Sequence, residues 1–241
     1  MGPTPIFSYI ANMQLPAQNY IRNQLNGLKI ARLLITFSGV DGSGKSTLAH
    51  ALIEHLNSEG VRTEYLWWFS ANESFLGKIA GSVVQKLAKP VESNARGFPK
   101  VGRVRALYQS LVLMDFLLHV WSSSILGKNL VCDRYVYDIV VFFATELHYS
   151  ESKTKNLTLL LKNITPKPMI GFLVDVPADI AMQRKNDIPS SEQHERLRKL
   201  YFNLAKGDPT VKFVDGSKRL EEVNYNVWVQ VNDRLTRITR R

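Results

Sequence analysis

Between Gly39 and Ser46 the chain reads G-V-D-G-S-G-K-S, followed by Thr47. Three glycines, Gly39, Gly42 and Gly44, free the backbone to bend so that its N–H groups point inward and approach an anion closely. Lys45 can reach the outer phosphates of a nucleotide as a point charge, and the Ser46 hydroxyl can ligate the magnesium that accompanies them. Ser43 lies within the loop, and Thr47 opens a helix whose N-terminal amides add positive potential. The flanks agree with this reading. "RLLITFSG" before the loop is a buried-strand pattern, and "STLAHALIEHL" after it places Leu48, Leu52, Ile53 and Leu56 on one helical face. The expectation is a loop that grips a nucleoside triphosphate.

A second constellation, "LVCDRYVYD", puts Asp133 and Arg134 directly after an apolar run. A carboxylate there emerges at the same sheet edge as the loop and can hold magnesium through a water, while a guanidinium can clamp a phosphate with two parallel hydrogen bonds. The alternative is a structural Asp–Arg pair closing a strand. A third segment, "FLVDVPADIAMQRKNDIPSS", runs from a strand through Pro177 into a short helix ending in Arg184 and Lys185. The stretch from about 184 to 191 reads either as a short lid whose cations stabilise developing charge or as an ordinary exposed connection.

These groups need a scaffold that brings them together. Strand-like runs fall at Leu33–Phe37, Thr63–Trp67, Leu130–Cys132, Met169–Val174 and Val211–Val214. Helical patterns separate them at Lys45–Ser58, Ser74–Ala88, Gly102–Leu126, Asp138–His148, Ala178–Arg184, Ser191–Ala205 and Leu220–Thr236. Such alternation predicts an α/β fold, a three-layer doubly wound parallel sheet of five strands with its ligand beyond the strands' carboxyl ends. Residues 1–31 read as an N-terminal extension and 32–241 as one domain. With 241 residues, 45% of them hydrophobic, one core is affordable.

The single cysteine, Cys132, excludes an internal disulfide framework, and the five histidines have no metal-ligand spacing. No signal peptide is legible at the start, and Asp115 and His119 interrupt the longest apolar stretch, Leu111 to Trp121. A cytoplasmic protein is the expectation. A net charge of +10 invites a nucleic-acid partner, yet bulk charge describes attraction rather than a site. Its densest run, Lys86 to Arg105, has six cations against Glu92 alone, and reads equally as a steering patch or a solvated face.

Taken together, "FSGVDGSGKST", "CDRYVYD", "VDVPADIAMQRK", "HERLRKLYFNLA" and "VKFVDGSKRLEEV" resemble the thymidylate kinase family of P-loop nucleoside monophosphate kinases, over roughly Leu33 to Trp228. The resemblance implies ATP and Mg2+ bound by the loop amides, Lys45 and Ser46, with Asp133 assisting the metal. It also implies Arg134 on the transferred or acceptor phosphate, Asp41 in the acceptor site, Arg184 in the lid, and in-line transfer to dTMP. Relatives of this kind are often homodimers through a helix beside the sheet, which Leu111–Trp121 would suit.

Two segments depart from the family pattern. No arginine stands in "YLWWFSANES", where the family uses one on the acceptor phosphate. Val112 and Phe116 occupy the positions that stack on and hydrogen-bond thymine in the family. Acceptor-pocket candidates are therefore Asp41, Trp68, Asp115, Phe116 and Tyr135. Trp68 reads as a stacking platform or as core, and Asp115 as an acceptor ligand or a partner of Arg134. Two alternative functions remain open, a kinase for another small acceptor such as a sugar, and a nucleic-acid-binding ATPase or polynucleotide kinase. The latter lacks the aromatic and basic interleaving of a single-strand platform.

Overall fold

The computed structural model describes residues 33–68, 102–185 and 190–239. The expected helix at 74–88, residues 1–31 and positions 186–189 of the expected lid lie outside the described residues, as does most of the basic run.

Five strands, β1 (Leu34–Ser38), β2 (Thr63–Trp67), β3 (Asn129–Asp133), β4 (Ile170–Asp175) and β5 (Val211–Asp215), form one parallel sheet in the order β2-β3-β1-β4-β5. β1, the sequence LITFS, is buried along its whole length because it is central and covered on both faces. The register sets the site. Phe37 and Trp67 both pair with Asp133, so the carboxyl ends of β1, β2 and β3 finish in one row.

The helices are α1 (Lys45–Ser58), α2 (Gly102–Ile125), α3 (Val136–Glu146), α4 (Glu151–Ile164), α5 (Ala178–Arg184), α6 (Ser191–Ala205) and α7 (Leu220–Thr239). On one face of the sheet, Leu48, Leu52 and Leu56 of α1 meet Val227, Trp228 and Val231 of α7 over Ile35, Phe37 and Phe172. On the other face α2, α3 and α4 close over Leu34, Leu130 and Cys132. Each buried large apolar side chain contributes about 1.5–3 kcal/mol. The doubly wound five-stranded sheet is therefore present as expected.

β1, β3, β4, β5 and α2 shift from their expected bounds by one residue at one end or both, α7 runs three residues further, and two other helices differ from the sequence reading. α4 was not foreseen. Ser150 caps it by accepting the Lys153 N–H, but its buried face is built from Thr154, Thr158 and Leu161. Threonines favour strands and mask a helical stripe, although each satisfies its own hydroxyl on a carbonyl one turn back. α3 begins two residues earlier than expected because the Asp138 carboxylate accepts the Tyr135 N–H and closes the first turn. Among the described residues no helix is long and apolar enough to cross a membrane.

Candidate active site

The turn between β1 and α1 wraps around its own lysine. Gly39 has φ 138° and leaves room for nothing else, since a Cβ there would lie 2.3 Å from the Val174 carbonyl oxygen. Gly44, with φ 93°, caps α1 in the left-handed region. The Lys45 ammonium donates to the Val40 carbonyl at 2.6 Å and to the Ser43 hydroxyl at 3.3 Å. Its third N–H has no acceptor among the described residues, and could donate to a phosphate oxygen. Burial pushes the Lys45 ammonium down to about 8, with Arg134 adding to the shift and Asp41 opposing it.

Asp133 ends β3 beside this loop, with its side chain 1% exposed. Its Oδ2 accepts two hydroxyls, Ser46 Oγ at 2.5 Å and Tyr65 at 2.8 Å. Its Oδ1 is buried without a hydrogen-bond partner among the described residues. A buried carboxylate oxygen with no donor suits a hard cation or a water on one. Together with the adjacent Ser46 hydroxyl it fits magnesium, which takes few protein oxygens and keeps phosphate and water ligands. No group of three or more His, Cys, Asp or Glu capable of holding a metal occurs among the described residues.

Tyr65 was missed by the sequence reading, where it is one aromatic in a strand. It leaves β2 to reach Asp133, and its ring stacks on His50 of α1 with centroids 4.3 Å apart. Burial and the Asp133 charge push its phenol far above the ordinary range, so it remains a donor. Tyr65→Phe should unfasten one of the two donors that orient Asp133. We expect the dissociation constant for magnesium in the nucleotide complex to rise several-fold, at a stability cost of about 1 kcal/mol. Titrating metal by calorimetry at saturating ADP checks this.

Arg134 follows in the left-handed region, φ 79°, its N–H bonded to the Phe37 carbonyl at 2.8 Å. A non-glycine residue held there stores strain and redirects the side chain into the cleft. The guanidinium pairs with Asp41 of the loop and reaches Asp138 at 3.4 Å. Asp138, the second residue not foreseen, is fully buried and also accepts the Tyr201 hydroxyl at 3.0 Å. Burial pushes its carboxyl up, while Arg134 and Lys45 oppose that shift. Asp41 goes the other way. Burial would raise it, but Arg134, Lys45 and Lys185 together hold its carboxyl well below the usual range.

At the end of α5 the two cations expected to serve a lid diverge. Lys185 points to Asp41, 3.5 Å away, in the Lys45–Arg134 cluster. Arg184, the residue singled out from the sequence, donates instead to the Gly216 carbonyl at 2.8 Å. It walls a cleft of about 230 Å³ with Ser43, Gly44, Thr47 and Lys218, on the outer side of the loop.

The aromatic candidates are packed. Trp68 is 1% exposed, edge-on to Phe142 at 5.4 Å. Phe116 lies 6.1 Å from Tyr135, whose hydroxyl donates to the Pro166 carbonyl at 2.7 Å. Val112, Phe116, Trp68 and Tyr135 belong to one core cluster, and Asp115 is half-buried. Residues 69–101, which include most of "YLWWFSANES", lie outside the described residues.

A triphosphate loop leading into α1, with an Asp-Arg pair level with it across a sheet of this strand order, defines a P-loop kinase of the nucleoside monophosphate class. The family model described as thymidylate kinase matches residues 37–227. Among similar proteins, the thymidylate kinase of Ligilactobacillus salivarius is 26% identical over 208 residues, covering 78% of this chain and 92% of its own length. A probable thymidylate kinase of Saccharolobus solfataricus is 30% identical over 198 residues, with 79% and 92% covered. The thymidylate kinase of Plasmodium falciparum is 24% identical over 201 residues, with 82% and 88% covered. The chain belongs to the thymidylate kinase family.

Proposed function

We propose that the protein transfers the γ-phosphoryl group of ATP to dTMP. What carries this reading is the meeting of Lys45, Ser46, Asp133 and Arg134 at one edge of the sheet, in a chain of this family. The triphosphate lies on the loop amides, and the adenine occupies the cleft beside Arg184, whose planar guanidinium can stack on it. Ser46 and Asp133 hold the magnesium, which when bound offsets charge on the β- and γ-phosphates.

Arg134 orients the acceptor phosphate so that one of its oxygens attacks the γ-phosphorus in line. The bond to the β–γ bridging oxygen breaks, giving ADP and dTDP. Lys45 and Arg134 meet the charge that spreads over the transferred group, and Asp41 keeps Arg134 and Lys185 positioned. The protein thus supplies alignment and positive charge rather than a covalent intermediate. Release of ADP measured across dTMP, dUMP, the other monophosphates and small sugars tests the proposal. Turnover should be fastest with dTMP, and stimulation by a sugar alone would transfer the assignment to another small acceptor.

We further infer a homodimer through α2. Leu107, Met114, Leu118, Trp121 and Ile125 follow one another at three-, four- and seven-residue steps on its outer face, with Leu118 61% and Ile125 71% exposed. Leu159 and Leu160 of α4 continue the patch, and Trp121 Nε1 donates to the Ile164 carbonyl at the junction. A heptad-like stripe is self-complementary about a two-fold axis. Light scattering should give twice the chain mass, and Leu118→Glu, which places charges opposite each other, should give monomers. A wild-type monomer at tens of micromolar concentration would contradict the inference.

A further inference from the structure

Gln109 of α2 is a polar side chain with no evident structural role. It is 0% exposed, and neither its amide oxygen nor its amide nitrogen has a hydrogen-bond partner among the described residues. Leaving such a group buried and unpaired is costly, so a partner that arrives with a ligand is the economical explanation.

Its position agrees. α2 leads by a short turn into β3, so the helix runs antiparallel to that strand and its N-terminal half overhangs the strand's carboxyl end. From Ile125 back to Gln109 the helix climbs about 24 Å at 1.5 Å per residue. β3 climbs only about 13 Å between Asn129 and Asp133. Phe116 lies level with the strand end, as its packing on Tyr135 shows. Gln109 is therefore about 10 Å beyond the Asp133–Arg134 corner, comparable with the span of a nucleoside monophosphate from phosphate to base. It shares the inner face of α2 with Tyr108, Val112 and Phe116, and Trp68 belongs to the same cluster. An acceptor whose phosphate rests on Arg134 would bring its base to this amide.

We propose that Gln109 reads the base edge of the acceptor, a keto pyrimidine, accepting from N3–H and donating to O4. The proposal rests on the assignment of the acceptor site to a nucleoside monophosphate. A side-chain amide offers one donor and one acceptor side by side, the complement of that edge. It is neutral, so it can wait in an apolar cluster where a cation would be expensive to bury. It would also restore the polar contact that Val112 and Phe116 cannot make, and would reject sugars and other acceptors without such an edge.

Calorimetric binding of dTMP and of N3-methyl-dTMP, to wild type and to Gln109→Leu, tests this without requiring turnover. Wild type should prefer dTMP by about tenfold or more, the scale of one lost hydrogen bond with its partner left unpaired. Gln109→Leu should bind the two alike, with ADP affinity unchanged and a higher melting temperature in the ligand-free state. If Leu is not tolerated, Gln109→Met keeps the length and makes the same comparison. Retained preference for dTMP in either variant, or no preference in wild type, overturns the proposal. Tight, edge-selective dTMP binding without any ADP release would instead defeat the kinase reading while leaving the role of Gln109 standing.

Discussion

Replacing Lys45 by methionine is expected to lower turnover about 10³-fold while leaving the protein folded. Removing one preorganised charge donor from a phosphoryl or oxyanion site typically costs 10²–10³ in rate, and Lys45 is the cation the loop itself encloses. Methionine keeps the buried stem and removes only the ammonium, whose burial is already unfavourable. The melting temperature should shift by no more than a few degrees. Steady-state turnover beside a thermal scan checks both halves, and near wild-type turnover in a folded variant would remove Lys45 from the mechanism.

The same residue makes binding depend on pH with a definite sign. Its ammonium titrates at about 8 in the ligand-free protein, below the 10.5 of an ordinary lysine. A triphosphate binds the charged form and pulls that value back up. Nucleotide affinity should therefore be level below about pH 7 and fall as pH rises through 8, reaching about tenfold weaker one pH unit above it. Titrations of ADP between pH 6.5 and 9.5 measure the trend, and Lys45→Met should flatten it.

Arg134→Ala is expected to have the other large effect, and it should damage both function and fold. An arginine that meets transferred charge contributes 10³–10⁵ in rate in phosphoryl-transfer enzymes. Its loss also strands Asp138, buried beneath it, and leaves Asp41 in a salt bridge only with Lys185 among the described residues. Truncating one partner of a buried pair costs about 3–5 kcal/mol. Part of that should return in Arg134→Ala/Asp138→Asn, which removes the stranded charge. Urea unfolding of the single and double variants measures the recovery, while the rate should recover in neither. If the double variant is no more stable than Arg134→Ala, Asp138 is not the buried counter-charge of Arg134.

How much of this was legible beforehand depended on how local each signal was. The loop from Gly39 to Ser46 and its flanking strand and helix are read from neighbouring residues, and β2, α1, α5 and α6 begin and end where hydrophobic periodicity places them. The placement of Asp133 beside Ser46 followed from Asp133 ending a parallel strand at the sheet edge where the loop turns into α1 and carries Ser46. α4 escaped because threonine on its buried face reads as strand or coil. That Arg184 turns to the Gly216 carbonyl and Lys185 to Asp41 depends on contacts between residues far apart in sequence. Tyr65, Asp138 and Gln109 could not be singled out, since each gains its meaning from burial and from a partner, or the lack of one. A weak signal did exist for Asp138, an acid at the third position of a helix whose start is the Asp-Arg-Tyr element.

The most direct test of the central claim, that donor and acceptor phosphates meet on one cluster of side chains, is the binding of an adenosine–thymidine dinucleotide joined by five phosphates. A single equivalent per chain is expected to bind far more tightly than either ADP or dTMP alone, with most of that advantage lost in Lys45→Met and in Arg134→Ala. Affinity no better than that of ADP, with dTMP still able to bind alongside, would mean that the two sites are separate and that the convergence at Asp133 and Arg134 serves some other purpose.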